Sequence, residues 1–342
     1  MRVPKAISSP FTFVVLLVLV AFVSASLGAF AVSGEQFWQV LTGAGDPTVQ
    51  FLLLEIRFPR IVQAALVGAG LAIAGAAIQG LFRNPLADQT LIGVSSGAML
   101  FAVLAIVFLN TLLAQVAAWL QQTTVGIAAF LGGLLTTFLV YRLSRNGRTT
   151  SVMTMLLAGI AISAFAAAVT GVFIYLSDDQ QLRDITFWSM GSLGGANWLQ
   201  VGLLLPLVGL GIVGLLRYAK PLNAIILGES EAAYLGIPVE KIKARIIVLT
   251  ALIVGLCISV SGIIGFVGLI IPHFLRLLRG PDYRYLLPAS ALLGAIFLVL
   301  TDTLARTIIA PAELPIGILT AVIGAPFFLW LLLRQRQQQM AL

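Results

Sequence analysis

Residues 221–237 of this chain read PLNAIILGESEAAYLGI and separate two long apolar runs. This polar interval contains two carboxylates, Glu229 and Glu231, and basic residues flank it on both sides. Gly228 and Gly236 bracket a short helical stretch whose small apolar residues can form a contact surface. Two interpretations stay open: a cytosolic docking element that moves the rest of the chain, or a short surface helix between two membrane spans.

The composition around this interval indicates a membrane protein. Of the 342 residues, 60% are hydrophobic and only 10% are charged, and the mean hydropathy is +1.06. A soluble domain carries about a quarter charged residues. We therefore predict an all-α polytopic membrane protein in which residues 1–342 form a single transmembrane domain.

The charged and reactive residues exclude several classes of function. The net charge is +7, but the basic residues lie in short loops between apolar runs, which excludes a nucleic-acid surface. The single cysteine, Cys257, excludes an internal disulfide and a cysteine metal cluster, and the single histidine, His273, excludes a multi-histidine site.

Apolar runs long enough to cross a bilayer recur along the chain. The first is longer than a signal-peptide core of about 7–15 residues, so we expect it to be a retained span. The polar interval at 221–237 lies between the sixth and seventh runs. We predict ten transmembrane helices at Phe11–Val32, Ile61–Leu81, Leu91–Leu109, Val125–Tyr141, Met153–Leu176, Leu199–Leu216, Ile246–Val260, Leu269–Leu278, Leu286–Leu304 and Ile316–Leu333.

The distribution of basic residues predicts the orientation. With both termini in the cytosol, sixteen of the twenty lysines and arginines fall on the inside, as the positive-inside rule requires. Only four fall outside, Arg57, Arg60, Arg183 and Arg306. Arg57, Arg60 and Arg306 are interpreted either as a cationic rim that receives an acidic partner or as anchors at the lipid interface.

Two further segments have candidate roles. The outer loop at 178–188 is either a lid over a pore mouth or an interfacial helix. The Gly-rich residues 262–268 predict a broken helix. Irregular backbone at membrane depth is tolerated where it is buried in protein or lines a cavity. His273 follows this break, and we prefer a structural histidine over a haem or proton ligand because no second histidine exists.

The chain lacks the groups that would power transport. None of its four lysines follows a glycine, so there is no phosphate-binding P-loop and ATP is not hydrolysed by one here. Asp302 is the one carboxylate in an apolar run, whereas ion-coupled transporters keep such groups at the midplane. An external drive, applied at 221–237, fits better than an ion-coupled secondary transporter, which stays as the alternative class.

Many ordered motifs resemble one family over nearly the whole chain. The sequence resembles the permease subunits of bacterial type II ABC importers, which carry iron–siderophore complexes, haem or vitamin B12. The matching segments are Arg57–Arg60, Gly75-Ala76 with Gln79, Arg83–Asp88, Leu157–Gly159, Trp188 with Met190–Leu193, Leu227–Glu229 with Leu235-Gly236, Gly265–Ile270 with Pro272-His273, and Glu313–Gly317.

The resemblance implies an assembly in the bacterial inner membrane. It implies a second permease copy, two ATPase subunits below, a periplasmic substrate-binding protein above, and no permanently bound cofactor. Arg57, Arg60 and Arg306 match the arginines that dock the binding protein, and Asn84 and Leu86 match a cytosolic constriction. The residues that match the ATPase-coupling helices are Leu222, Asn223, Leu227, Gly228, Glu229, Ala232, Ala233, Leu235 and Gly236.

The cargo is expected from loop similarity. Residues 177–195 and 309–315 look most like the haem-importing branch of the family. A ferric siderophore is the second expectation and vitamin B12 the third.

Overall fold

The computed structural model describes residues 10–109, 118–147 and 149–340, and this part of the chain is almost entirely helical. A single two-residue antiparallel pairing joins β1 (Arg145–Asn146) to β2 (Thr149–Thr150). The α-helices are α1 (Pro10–Ser26), α2 (Gly34–Leu41), α3 (Pro47–Phe51), α4 (Phe58–Leu81), α5 (Val94–Leu104), α6 (Ala118–Ser144), α7 (Val152–Leu176), α8 (Asp179–Met190), α9 (Trp198–Leu216), α10 (Ala219–Leu227), α11 (Glu229–Tyr234), α12 (Val239–Ser261), α13 (Val267–Arg279), α14 (Tyr283–Ala305) and α15 (Ile316–Met340). Short π-helical segments at Leu52–Arg57 and Ala105–Leu109 and a 3-10 turn at Gln89–Ile92 complete the set.

The predicted all-α membrane fold is confirmed. Within the described residues, six helices are long and apolar enough to cross a membrane: Pro47–Leu81, Thr123–Ser144, Val152–Leu176, Trp198–Leu216, Val239–Ser261 and Tyr283–Ala305. The other four predicted runs fall on α1, α5, α13 and α15, so every predicted run contains a helix. Arg2, Lys5 and Arg148, which contributed to the charge bias, lie outside the described residues.

Several predicted helix boundaries differ from the structure, and two of them have an identifiable cause. The first helix ends at Ser26 rather than Val32, where arginines from other segments bind its last carbonyl groups. The third helix begins at Val94 rather than Leu91, because Gly93 adopts a left-handed conformation (φ +81°) that separates it from the 3-10 turn. Glycine takes such positive φ values at little cost.

Helix α4 is the centre of the bundle. It packs most extensively against α14 and also against α9, α12 and α13. Its small residues permit these contacts: a Cβ added at Gly68 would collide with the carbonyl oxygen of Gly294, and one at Gly75 with that of Gly268. Small residues let helices approach closely in membranes, so α4 is a tightly packed core helix.

The predicted helix break is confirmed and has a defined geometry. Helix α12 ends at Ser261, residues 262–266 are non-helical, and α13 begins at Val267. The Gln63 side chain reaches the carbonyl of Val260, whereas the Gln79 side chain reaches that of Gly268. These glutamines are about 24 Å apart along α4. The chain between Val260 and Gly268 therefore spans the distance between these two levels of α4, and α13 begins near Gln79.

The two ends of the bundle are named here after the predicted orientation. The outer end contains Arg60 and the inner end contains the coupling segment, residues 219–237. The predicted outer loop forms helix α8, which a capping box of Asp178 and Gln181 begins.

Candidate functional site

The coupling segment consists of two short helices, α10 and α11, and begins two residues earlier than predicted. Gly228 separates the two helices with φ +147°, where a side chain is strained. A Cβ at Gly228 would also overlap the carboxylate of Glu231. The sharp turn between α10 and α11 therefore depends on a glycine at this position.

One face of the coupling segment is anchored in the bundle. Leu222 and Ala232 are completely buried, so Ala232 is not exposed on the small apolar contact surface expected between Gly228 and Gly236. The opposite face is open: Leu227, Tyr234 and Leu235 are 73%, 92% and 69% exposed. Isolated exposed apolar residues are common, but three on one short segment indicate a contact surface.

Ala233 and Gly236 are exposed on the coupling segment. Glu229 does not point freely outward. Its carboxylate accepts a 2.6 Å hydrogen bond from the buried ammonium of Lys243, so it links the segment to α12.

Asn223 connects the coupling segment to α14. Its amide donates to the Asp282 carboxylate at 2.7 Å, and its carbonyl oxygen accepts from the backbone N–H of Tyr283 at 2.9 Å. The Asn223 hydrogen bond, followed by one from the backbone N–H of Arg284, lowers the pKa of Asp282 below its usual value. Asp282 also caps the start of α14. Asn223 therefore holds the segment against a helix terminus.

A polar path continues from α14 to the helix break. The Tyr283 hydroxyl accepts from Arg276, and the same guanidinium donates to Gln79 at 3.0 Å. The Gln79 amide in turn donates to the carbonyls of Gly268 and Leu269 at 3.3 Å. Gln79 is buried among protein groups, which fits a polar residue in a span because such a side chain avoids lipid. Described contacts thus connect the coupling segment to the first turn of α13.

The predicted constriction residues lie in the turn between α4 and the 3-10 helix. The Asn84 side chain accepts a 2.9 Å hydrogen bond from the Leu86 backbone N–H, which fixes a tight turn. Leu86 lines a small apolar recess with α13 and α15, and His273 lies in its wall. His273 is buried and packs edge-on against Phe327, with 6.5 Å between ring centroids, which fits a structural role.

The three predicted docking arginines come together at the outer end, but they do not form an exposed rim. Arg57, Arg60 and Arg306 are 5%, 8% and 7% exposed. Their guanidinium groups have internal acceptors, and an unpaired buried charge would be costly. These acceptors could not be predicted from the sequence, because most of them are far from the arginines along the chain.

Arg60 is bound by two carboxylates. It forms a forked pair with Asp302, at 2.9–3.0 Å, and a second pair with Glu313 at 2.8 Å. The Asp302 side chain is 2% exposed, whereas that of Glu313 is 44% exposed. Asp302 also pairs with Arg306, one helical turn later, at the longer distance of 3.7 Å.

Arg57 and Arg306 hold the end of α1. Arg57 donates to the carbonyls of Ala25 and Phe30, and Arg306 to those of Ser24 and Leu27. Cations stabilise helix C-termini because carbonyls there have no intrahelical partner. This clamp ends α1 at Ser26, which explains why the helix is shorter than the apolar run.

Comparison with known proteins places this architecture in a family. A model of the FecCD transport family matches residues 16–334. The hemin transport system permease HmuU of Yersinia pestis is 46% identical over 95% of each chain. The cobalamin import permease BtuC of Halobacterium salinarum is 44% identical over 88% of this chain and 80% of its own length.

A solved structure shares the fold. It is that of a metal-chelate type ABC transporter in an inward-facing conformation, with a TM-score of 0.84 and 35% identity over 95% of this chain and 98% of the other. The family match includes all of the motifs from Arg57 to Gly317 that resemble the family. The chain belongs to the FecCD transport family and is a multi-pass membrane permease of an ABC importer.

Proposed function

We propose that this permease moves haem from a periplasmic substrate-binding protein into the cytoplasm by alternating access in the bacterial inner membrane. The observation that carries the proposal is the 46% identity to a hemin permease over 95% of both chains. The alternative cargoes are a ferric siderophore and vitamin B12, the latter favoured by the 44% identity to a cobalamin permease.

The proposed machine divides its work between subunits. ATP is hydrolysed by two separate ATPase subunits, since the sequence has no P-loop, and the permease is neither an enzyme nor the holder of a permanent cofactor. The exposed side chains of Leu227, Tyr234 and Leu235 give an ATPase an apolar surface to grip. Buried Leu222 and Ala232 then transfer the force into the bundle.

A second permease copy completes the proposed pathway. Among the six long spans found in the described residues, helix α7 is the least buried, with large apolar side chains exposed along its length. A homodimer would cover part of this face and enclose a route between the copies. Asn84 and Leu86, in the turn at the inner end, would narrow that route.

Docking of the binding protein is proposed in a revised form. Arg57 and Arg306 are committed to α1, so Arg60 is the arginine open to exchange. An acidic residue of the binding protein would replace Glu313, which is the more exposed of the two carboxylates on Arg60. We expect Glu313→Gln to tighten docking and Arg60→Glu to weaken it, measured by binding-protein affinity for the reconstituted transporter. Equal affinities for both variants and the wild type would exclude this site.

An ion-coupled secondary transporter is disfavoured by the state of Asp302. This carboxylate is buried within α14 but is held by Arg60 and Arg306, so it is charge-compensated rather than free to bind a coupling ion. Ion-coupled carriers use such intramembrane acids in their pathway.

Cargo uptake tests the proposal. The permease is reconstituted in proteoliposomes with its ATPase and binding protein, and uptake of haem, a ferric siderophore and vitamin B12 is compared. We expect ATP-dependent accumulation of haem alone. Accumulation of either other cargo in place of haem would contradict the haem assignment and leave the ABC importer standing.

A further inference from the structure

Lys243 is a buried cation at the inner end of α12. Its side chain is 2% exposed. The ammonium donates to Glu229 at 2.6 Å, to Glu240 at 2.9 Å and to the carbonyl oxygen of Thr150 at 3.1 Å. An ammonium group has three protons, so its hydrogen-bonding capacity is fully used. These three hydrogen bonds allow the lysine to be buried, since burial of an unpaired charge is costly.

The three acceptors belong to three different elements. Glu229 is the first residue of α11 in the coupling segment, and Glu240 lies one turn before Lys243 on α12. Thr150 is the last residue of β2 and immediately precedes Ser151, the N-cap of α7. One ammonium group therefore joins the coupling segment, α12 and the start of α7.

Thr150 is held on both sides of its backbone. Its carbonyl oxygen accepts from Lys243, and its N–H donates to the second carboxylate oxygen of Glu240 at 2.8 Å. The residue is 5% exposed. Two backbone bonds from one helix fix the position of β2 more tightly than a side-chain contact would, because the backbone has fewer free torsions.

The two carboxylates depend on the lysine. Without the ammonium, Glu229 and Glu240 would face the same partly buried space with like charges. A surface ion pair contributes little, but this cluster has its cation buried and shares it among elements. The cluster thus acts as a joint and not as an isolated pair.

We propose that Lys243 is a positioning residue that transmits movement of the coupling segment to the start of α7. The proposal rests on the proposed function, in which an ATPase moves the coupling segment. When α11 moves, Glu229 pulls Lys243, and Lys243 carries the backbone of Thr150 with it. The inner end of α7, the long helix with the most exposed face, then shifts together with the coupling segment.

The test measures haem uptake and ATP hydrolysis in proteoliposomes that contain the permease, the ATPase and the binding protein. Lys243→Met removes the charge, and Lys241→Met makes the same change at an exposed position on the same helix. A second variant combines Lys243→Met with Glu229→Gln and Glu240→Gln, so that no unpaired buried charge remains if the single variant fails to fold. We expect the amount of cargo moved per ATP to fall about fivefold or more in both Lys243 variants and to be unchanged in Lys241→Met.

A distance measurement separates transmission from simple stability. Spin labels are placed at Ser230→Cys on α11 and Asn146→Cys on β1, which are both exposed, while the native Cys257 is buried. With Lys243 present, we expect the distance between the labels to stay constant when ATP is added. In the triple variant it should change on ATP addition.

Two results would overturn the proposal: a triple variant that moves as much cargo per ATP as the wild type, or a wild-type distance that changes with ATP as much as in the variant. Failure of the proposed function looks different. In that case the wild-type complex itself would show no ATP-dependent uptake, whatever residue stands at position 243.

Discussion

At the residue scale, Arg60 is a buried cation that binds two carboxylates. Its guanidinium lies between Asp302 and Glu313, and Asp302 is almost completely buried. Removing one member of a buried ion pair leaves the other charge uncompensated, which typically costs about 3–5 kcal/mol. The outer end is therefore expected to depend on Arg60 before any partner binds.

We predict that Arg60→Gln lowers the free energy of unfolding by about 3 kcal/mol, because Asp302 loses its forked partner. The measurement is thermal unfolding of the purified permease in lipid nanodiscs. Arg183→Gln is the control, since Arg183 is an exposed outer arginine. Equal unfolding temperatures for the two variants would show that the Arg60 cluster does not stabilise the outer end.

The environment of Gln79 could be predicted from the sequence, whereas that of Arg60 could not. A polar side chain in a span avoids lipid, so the sequence predicts that Gln79 faces protein or water without any knowledge of its partner. The burial of Arg60 could not be predicted in the same way. Its acceptors Asp302 and Glu313 are 242 and 253 residues away in the chain, and only the packing of α14 against α4 brings them near.

At the element scale, the contact between α4 and α13 depends on a missing side chain. Gly75 lies against the backbone of Gly268, where the broken span turns into α13. We predict that Gly75→Ala destabilises the permease by about 1–3 kcal/mol, because backbone cannot move aside as a flexible side chain can. Thermal unfolding in nanodiscs measures the change.

Gly202→Ala provides the control for this substitution. Gly202 is also in a helix, but a Cβ there meets nothing within 4 Å. Alanine has the higher helix propensity, so we expect this variant to be as stable as the wild type or slightly more stable. A Gly75 variant as stable as the Gly202 variant would contradict the close packing of α4 and α13.

The attachment of α10 to α14 gives a prediction with a pH dependence. Asn223→Leu removes the hydrogen bonds to Asp282 and Tyr283 and should destabilise the attachment by about 1 kcal/mol at neutral pH. The pKa of Asp282 is lowered in the folded protein, so its contribution is present above the ordinary value of 3.8 and is lost as the pH falls through the folded value.

Hydrogen exchange of the α10 amides measures this attachment. We expect faster exchange in Asn223→Leu than in the wild type at pH 7, and a difference that shrinks once the pH falls below 3.8. A difference that instead grows on acidification would reverse the sign of the Asp282 contribution and contradict the assignment.

Helix breaks were predictable where the sequence itself carries the cause. Glycines at 262, 265 and 268 predict a helix break before α13, and the structure contains a non-helical segment at this position. The early end of α1 was not predictable, because the cause is the clamp that Arg57 and Arg306 form on its last carbonyls. Periodicity and composition predict the structure of one segment at a time. The clamp forms only when three segments that are distant in the sequence pack together.

At the scale of the whole molecule, the described side chains form two hydrogen-bonded connections from the coupling segment into the bundle. One runs through Asn223 and α14 to the first turn of α13, and the other through Lys243 to the start of α7. They reach the first turn of α13 and the start of α7, which is the least buried of the spans found among the described residues. A movement applied to the coupling segment is thus delivered to two separate parts of the membrane domain.

The most direct test of this account is which energy source drives uptake. Proteoliposomes that contain the permease, the ATPase and the binding protein are supplied with haem under three conditions. These are ATP alone, a proton or sodium gradient alone, and ATP together with the gradient and an ionophore that dissipates it. The account predicts accumulation that requires ATP and the ATPase and is unaffected by the ionophore. Accumulation driven by an ion gradient, without the ATPase, would contradict it.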